Sequence, residues 1–243
     1  KDPDFDHQLT RCVGGGCPPE VWRAMQERFG ISPHELYGMT EVGGWVTGNS
    51  TRDYRLGSCG RARPDVEVEV FDEHDCPVPP GMPGEIVVRP RKSFTLLLGY
   101  WANPEATWAS SRNFWFHTGD AGMKDDDGFL YFLGRLKEII RRGGENISPF
   151  ELETALLAHP DIEDAAVVGV PDPIFGEEIK AVIVTKRAFD PRDVGRFLEG
   201  RVPTFMLPRY VQFASAIPKT ETQKIQRRQL QENTAGVVDL KDH

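Results

Sequence analysis

The chain has 243 residues, 39% hydrophobic and 27% charged, with a formal net charge of −8. That length holds one large or two small domains, and that balance excludes a low-complexity or fibrous chain. The acidity excludes a general nucleic-acid binder, and no apolar run reaches the ~20 residues that span a membrane.

Charge is uneven along the chain. Up to Gly134 there are 13 Lys and Arg against 20 Asp and Glu; from Arg135 onward there are 16 against 17. The second part is therefore nearly neutral, with local basic clusters that suit a small polyanion. Cys12, Cys17, Cys59 and Cys76 lack metal-ligand spacing and read as reduced, partly buried thiols. No signal peptide is visible, so the default expectation is a soluble cytoplasmic protein.

In chain order, Cys12-Val13 runs into Gly14-Gly15-Gly16. This is a strand ending where the backbone approaches something closely or turns tightly into a helix. From Pro19 the spacing predicts a helix with Val21, Trp22, Met25 and Phe29 on its apolar stripe and Gly30 as its stop. Tyr37-Gly38-Met39-Thr40-Glu41 then offers an aromatic face, a hydroxyl and a carboxylate. The ring can stack on a purine or fill a core. The hydroxyl can bond a phosphate oxygen, and the carboxylate can serve a magnesium ion or face water.

Residues 50 to 100 read as all-β. Val66 to Val70 alternates with period two, and Gly84 to Val88 and Phe94 to Leu98 are expected strands. Together they predict a small β-barrel-like subdomain over about 50–133. Asn103-Pro104-Glu105 has the cap chemistry of a short helix. Trp108, Phe114, Trp115 and Phe116 are expected to pack beneath the loop that follows.

The stretch from His117 to Glu153 organises the chain. Asp120 follows a glycine in a His-Thr-Gly-Asp run. A turn at Asp125 to Gly128 leads to a strand, Phe129 to Leu133, and then to Gly134-Arg135. Such a run suits a nucleotide sugar: a carboxylate accepts from two neighbouring hydroxyls, and an Arg reaches a hydroxyl or phosphate beside it. Either residue alone would as readily cap a turn or pair at the surface. Ser148, Pro149 and Glu151 form the start of a helix, Pro149 to Ala158. Ala165 to Val170, Ile179 to Val184 and the segment after Pro208 are expected strands, with a second helix from Asp190-Pro191. This alternation indicates a compact α/β domain. Thr222 is the expected N-cap of a helix running through Ile225 to Leu230. Lys224 would then sit in the first helical turn, where the dipole disfavours a cation by about 0.3–1 kcal/mol. A lysine there suits a visiting anion, or is a solvated surface charge.

Three runs, Tyr37 to Glu41, His117 to Glu153 and Pro218 to Lys224, have the order and spacing of the adenylate-forming superfamily. That superfamily contains acyl- and aryl-CoA ligases, firefly luciferase and peptide-synthetase adenylation domains. The chain resembles it over nearly its whole length, and its acyl-CoA ligases most. The resemblance implies an α/β fold: residues 1–134 as the C-terminal part of a large AMP-binding domain, then a small mobile α+β domain, 135–243, with its hinge at 135–137.

The resemblance also implies that Gly15, Gly16, Tyr37, Gly38, Met39, Thr40, Asp120, Phe132 and Arg135 bind AMP or ATP. Tyr37 would stack on adenine, Thr40 would touch the α-phosphate, and Glu41 would serve Mg2+. Lys137 would be the hinge and Lys224 the catalytic lysine. Arg141, Arg142, Gly143 and Gly144 would lie along CoA, with Arg228 a further partner for its phosphates. The implied reaction joins a fatty or other small aliphatic acid to ATP, releasing pyrophosphate, and passes the acyl group to the CoA thiol. The alternatives are a carrier-protein-loading adenylation domain and a non-catalytic module that keeps AMP or CoA binding. Two departures stand out. Gln223 occupies the position where the family has Gly before its lysine. The family's Gly/Ser/Thr-rich phosphate loop is absent from the sequence, so the chain is expected to be the C-terminal part of a longer enzyme and inactive alone.

Overall fold

A computed structural model describes residues 6–17, 19–221 and 224–241. The fold divides into two compact units, Lys1–Leu136 and Lys137–His243. Among the described residues no helix is long and apolar enough to cross a membrane.

The first unit is built on two four-stranded sheets. In one, β1 (Arg11–Gly14) lies parallel to β2 (Ser32–Met39), which pairs antiparallel with β3 (Gly44–Gly48), and β3 with β4 (Arg61–Ala62). The other is an antiparallel meander of β5 (Val66–Phe71), β6 (Gly84–Pro90), β7 (Phe116–Lys124) and β8 (Leu130–Arg135). Buried side chains from both sheets, among them Val46, Val66, Val68, Ile86, Val88 and Leu130, form one core. The period-two pattern of β5 is realised directly: Val66, Val68 and Val70 are buried while Glu67 and Glu69 are half-buried.

Helix α1 (Pro19–Phe29) closes at Gly30, whose positive φ of 64° suits only glycine without strain. Its stripe is narrower than the sequence predicts. Trp22 is fully buried, but Val21 faces solvent.

Three expectations for this unit are corrected. The meander does not close into a barrel; β5 and β8 remain its two ends. Phe94 to Leu98 is not a strand but a run of turns and bends, with Phe94 and Leu98 almost fully exposed. Its backbone is satisfied elsewhere: Leu97 N–H donates to the Glu41 carbonyl at 2.8 Å, and Thr95 Oγ1 turns back to Lys92. The aromatic group also splits. Phe116 is buried and Trp115 packs edge-on against Phe71, whereas Trp108 and Phe114 face solvent. Helix α2 (Pro104–Ala109) does begin at its cap, Asn103 Oδ1 accepting from Ala106 N–H at 3.0 Å.

The second unit is one sheet of six strands. A hairpin of β9 (Ile140–Arg142) and β10 (Glu145–Ile147) is followed by α3 (Pro149–Leu157), β11 (Ile162–Asp172), β12 (Gly176–Thr185) and α4 (Pro191–Leu198). Strand β13 (Tyr210–Phe213), α5 (Arg227–Glu232) and β14 (Val237–Asp239) complete it. Both helix starts follow their caps: Ser148 accepts from Glu151 N–H, and Asp190 from Arg192 N–H. Each such cap contributes about 1 kcal/mol.

The sheet is covered on both faces. Ala165, Val167, Ile179, Ala181 and Ile183 pack with Leu152, Leu156, Val194 and Leu198 of α3 and α4. Ala166, Val168 and Val182 pack on the other face with Leu230 of α5. Burial on both faces is why these strands read as continuous apolar runs without alternation. Lys180 is buried on the α5 side, donating to the carbonyls of Leu230 (2.7 Å) and Asn233 at that helix's end. Desolvation holds its pKa below the usual lysine value.

Strand β14 is pinned by charge. Arg209 grips Asp239 through Nη2 (2.7 Å) and Nε (2.9 Å) and reaches Asp172 at 3.3 Å. The Arg209 bond holds the Asp239 carboxyl below its usual range; backbone N–H groups of Phe175 and Ile174 do the same for Asp172. A carboxylate depressed in the folded state stabilises it above the unfolded pKa, about 3.9, and loses that contribution as pH falls through the folded value. The melting temperature of this unit is therefore expected to hold between pH 7 and 5 and fall below about pH 4. Asp239→Asn is expected to lower it at neutral pH and flatten the acid slope, measured by circular dichroism melts. An acid slope identical in the two proteins contradicts the assignment.

Candidate active site

In the first unit the site grows from the end of β1. Gly14 pairs with Glu35 across β1 and β2, and the chain turns at Gly16 with φ of 79°. The Glu35 carboxylate, 4% exposed, accepts from the N–H groups of Gly16 (2.9 Å) and Cys17 (2.5 Å). Burial raises its pKa while those two N–H bonds oppose the rise. Glu35 thus fixes the glycine turn, a role the sequence reading missed. The available signal was an acid inside an otherwise buried strand that leads straight into Tyr37.

Two residues further along β2, on the same side of the strand, Tyr37 is 7% exposed. Its hydroxyl donates to Asp120 Oδ2 at 2.8 Å. Burial first, then the Asp120 charge, pushes the phenol well above its usual range, so it remains a hydrogen-bond donor. The ring sits in the core with its centroid 6.0 Å from that of Phe132. The resemblance implies stacking on adenine for Tyr37; the structure shows its ring beside Phe132 and its hydroxyl on Asp120. At Gly38 an added Cβ would lie 2.1 Å from the Gly44 carbonyl oxygen, so β2 and β3 approach too closely there for any other residue.

Asp120 lies on β7 in register with Arg135 at the end of β8. Arg135 Nε is 2.9 Å from Asp120 Oδ1, and its Nη1 donates to the Thr118 carbonyl at 3.3 Å. The carboxylate is nearly buried, while the Arg135 side chain is 43% exposed. The loop is held from behind. Thr118 Oγ1 donates to the Ile86 carbonyl at 2.7 Å and accepts from Asp120 N–H at 3.1 Å; Glu85 accepts from Gly119 N–H at 3.0 Å. Asp120 is a fixed anion with a cation beside it.

An open cleft of about 310 Å³ is lined by Gly14, Gly15, Leu36, Gly38, Met39, Gly44 and Trp45; Tyr37, Asp120 and Arg135 are not part of its lining. It brings together Gly15, Gly38 and Met39 from the predicted set. Thr40 is exposed at the start of a single 3-10 turn, Thr40–Val42. Glu41 follows, half-buried, accepting from the Tyr100 hydroxyl at 3.3 Å. Among the described residues no group of three or more His, Cys, Asp or Glu side chains is placed to hold a metal ion by itself. A magnesium ion here would take one protein carboxylate and fill its shell with water and phosphate oxygens, which is its usual preference.

In the second unit, Gly143 and Gly144 form the two-residue turn of the β9–β10 hairpin, with φ of 58° and 91°. Both central positions of such a turn need positive φ, so two glycines are expected. Arg141 is exposed, but Arg142 is engaged internally: its Nε is 2.5 Å from Glu178, which is completely buried, and its Nη1 donates to the Phe205 carbonyl. Arg228 is exposed and pairs along its helix with Glu232.

The expected position of Lys224 is corrected. Helix α5 starts at Arg227, so Lys224 precedes it and the dipole argument does not apply. Lys224 lies in a narrow loop, its N–H donating to Thr220 Oγ1 (3.1 Å) and its carbonyl accepting from Thr220 N–H (2.8 Å). Its side chain is exposed and makes no ion pair among the described residues. The expected cap Thr222 and the departure at Gln223 lie outside the described residues.

Residues 1–101 match the family model of the AMP-binding enzymes, and residues 151–224 match that of the AMP-binding enzyme C-terminal domain. The chain belongs to the adenylate-forming, AMP-binding enzymes. Among this family it is 36% identical to rat mitochondrial acyl-coenzyme A synthetase ACSM4, over 94% of this chain and 41% of the relative. It is also 36% identical to the oxalate–CoA ligase of Saccharomyces cerevisiae, over 97% of this chain and 44% of that protein. Among solved AMP-binding enzymes, o-succinylbenzoate CoA synthetase (MenE) from Bacillus subtilis, in complex with the acyl-adenylate OSB-AMP, superposes with a TM-score of 0.86 at 28% identity. That match covers 94% of this chain and 47% of MenE. The chain spans less than half the length of these relatives.

Proposed function

We propose that this chain is the part of an ATP-dependent carboxylic acid–CoA ligase that grips the nucleotide sugar and carries the adenylation lysine. The observation that supports it best is the buried Asp120 carboxylate, held by Tyr37 and Arg135 inside the family's own motif. Asp120 accepts from the ribose hydroxyls, and Arg135 keeps its charge in place. Thr40 bonds the α-phosphate, and Glu41 serves Mg2+, which offsets phosphate charge when bound. Glu35 keeps the Gly15-Gly16 turn open for the adenine and acyl group. A carboxylate oxygen of the acid attacks the α-phosphorus of ATP and pyrophosphate leaves; Lys224 offsets the charge that crowds there. A CoA thiolate then attacks the acyl carbon and AMP leaves. Lys137 is the hinge between the two steps. The acid is a fatty or small aliphatic one, and the setting is cytoplasmic, which suits the free thiols of Cys12, Cys59 and Cys76.

Calorimetry of the 243-residue chain with AMP, CoA and a non-hydrolysable acyl-adenylate tests the reading. AMP and the adenylate are expected to bind saturably, and failure of all three ligands leaves only a structural role. A second test concerns the thiol. A Cβ at Gly144 would meet nothing within 4 Å, so a large side chain there projects outward, at a backbone cost of about 1–2 kcal/mol. In a polypeptide that also carries the remaining length found in the relatives, Gly144→Trp is expected to slow thioester formation and leave adenylation unchanged. Gly144→Ala controls for backbone strain. Unchanged CoA turnover in the Trp variant counts against a pantetheine path over this turn.

A further inference from the structure

The Arg227 guanidinium touches three elements at once. Its Nη1 and Nη2 grip Glu153 of α3 at 2.5 and 3.3 Å, Nη1 also donates to the Val167 carbonyl of β11 (2.7 Å), and Nε reaches Glu138 at 2.8 Å. Only 17% of the side chain is exposed. Two of these contacts have a structural reason. Val167 faces Ala181 on β12, and the Val167 N–H donates to Glu153 at 2.8 Å. Glu153 and Arg227 therefore satisfy one residue of the β11 edge, donor and acceptor together. The bond to Glu138 serves no such need, and Glu138 directly follows Lys137.

The segment before Arg227 is tied down as well. Lys219 bridges to Ile225 and pairs with Asp164 on β11 at 2.5 Å; Gln226 N–H donates to the Pro218 carbonyl at 2.9 Å. The loop carrying Lys224 is thus pinned to β11 at both ends, and Arg227 joins its far end to the residue beside Lys137.

We propose that Arg227 is a positioning residue: through Glu138 it locks the Lys224 loop to the segment at Lys137, so that the two lysines move as one rigid piece. This rests on the ligase reading only for its consequence, since the lock itself can be measured without catalysis. A planar fork is required, because a lysine at 227 cannot hold Glu153 and Glu138 together.

The test is amide hydrogen exchange on the full 243-residue chain, wild type, Glu138→Ala and Arg227→Lys. Glu138→Ala keeps the edge contacts of Glu153 and Arg227, so the fold is retained. Exchange is expected to rise about 5-fold at residues 137–139 and also at 224–226, within the range of such couplings, with Val167 and α3 unchanged. Arg227→Lys is expected to reproduce the rise at both segments, and the double variant to add nothing beyond it. If Glu138→Ala loosens 137–139 alone, or neither segment, the lock is refuted, whatever AMP calorimetry shows. If both segments loosen while AMP fails to bind, the lock stands and the ligase reading falls.

Discussion

Lys224→Ala is expected to lower the adenylation half-reaction by about 10²–10³-fold, the usual loss when one preorganised charge is removed from a developing anion. Conversion of supplied acyl-adenylate to thioester is expected to be nearly intact. The reason is local. The Lys224 side chain is exposed and makes no ion pair among the described residues, while its backbone is held on both sides by Thr220. A free charge on a fixed backbone is suited to meeting an anion that arrives with the substrate. Two anions approaching each other, a carboxylate and an α-phosphate, need that charge; a thiolate attacking an adenylate already formed needs it far less. Pyrophosphate release and thioester formation, measured separately in a polypeptide that also carries the relatives' remaining length, give the ratio. Equal loss in both half-reactions contradicts the role assigned here.

Asp120→Ala is expected to abolish measurable AMP binding and to destabilise the first unit. Each charge-assisted hydrogen bond to the ribose contributes about 1.5–3 kcal/mol, so losing two removes several powers of ten in affinity. The same change leaves the Tyr37 hydroxyl buried without its acceptor and Arg135 without its anion, at about 1–3 kcal/mol for the stranded polar group. Asp120→Asn separates the two effects. It keeps an acceptor for Tyr37 and nearly the same shape, so stability is expected to stay near wild type while AMP affinity falls. Urea unfolding beside AMP titration reads both quantities. Full AMP affinity in a stable Asp120→Asn protein contradicts a ribose contact.

Features set by short-range chemistry were legible in the sequence. Ser148, Asn103 and Asp190 cap helices because a short polar side chain reaches an N–H two or three residues on, and that geometry follows from spacing alone. Gly143-Gly144 marks a hairpin for an equally local reason, although the sequence was read for CoA there. Features that depend on distant partners were not legible. The Tyr37–Asp120 bond joins residues 83 apart, so stacking and support for that ring could not be told apart. Glu35 looks like a misplaced acid until β1 lies beside it. Phe94 to Leu98 has strand-like composition, but its neighbours offer turns and the Glu41 carbonyl rather than a strand edge. The barrel reading failed for a related reason: alternation marks a half-buried strand but not whether the last strand meets the first. Reading Thr222 as a cap puts Lys224 in a helix, yet Lys224 pairs with Thr220 on both sides of its backbone and the helix starts only at Arg227.

The grip on the sugar is tested most directly by comparing AMP with 2′,3′-dideoxy-AMP as ligands of the wild-type chain and of the stable Asp120→Asn variant. The wild type is expected to bind AMP at least 10-fold more tightly, about one charge-assisted hydrogen bond's worth, and the variant to lose that preference. Equal affinity of the wild type for the two nucleotides would mean that Asp120, buried between Tyr37 and Arg135, holds the protein together and never touches the ribose.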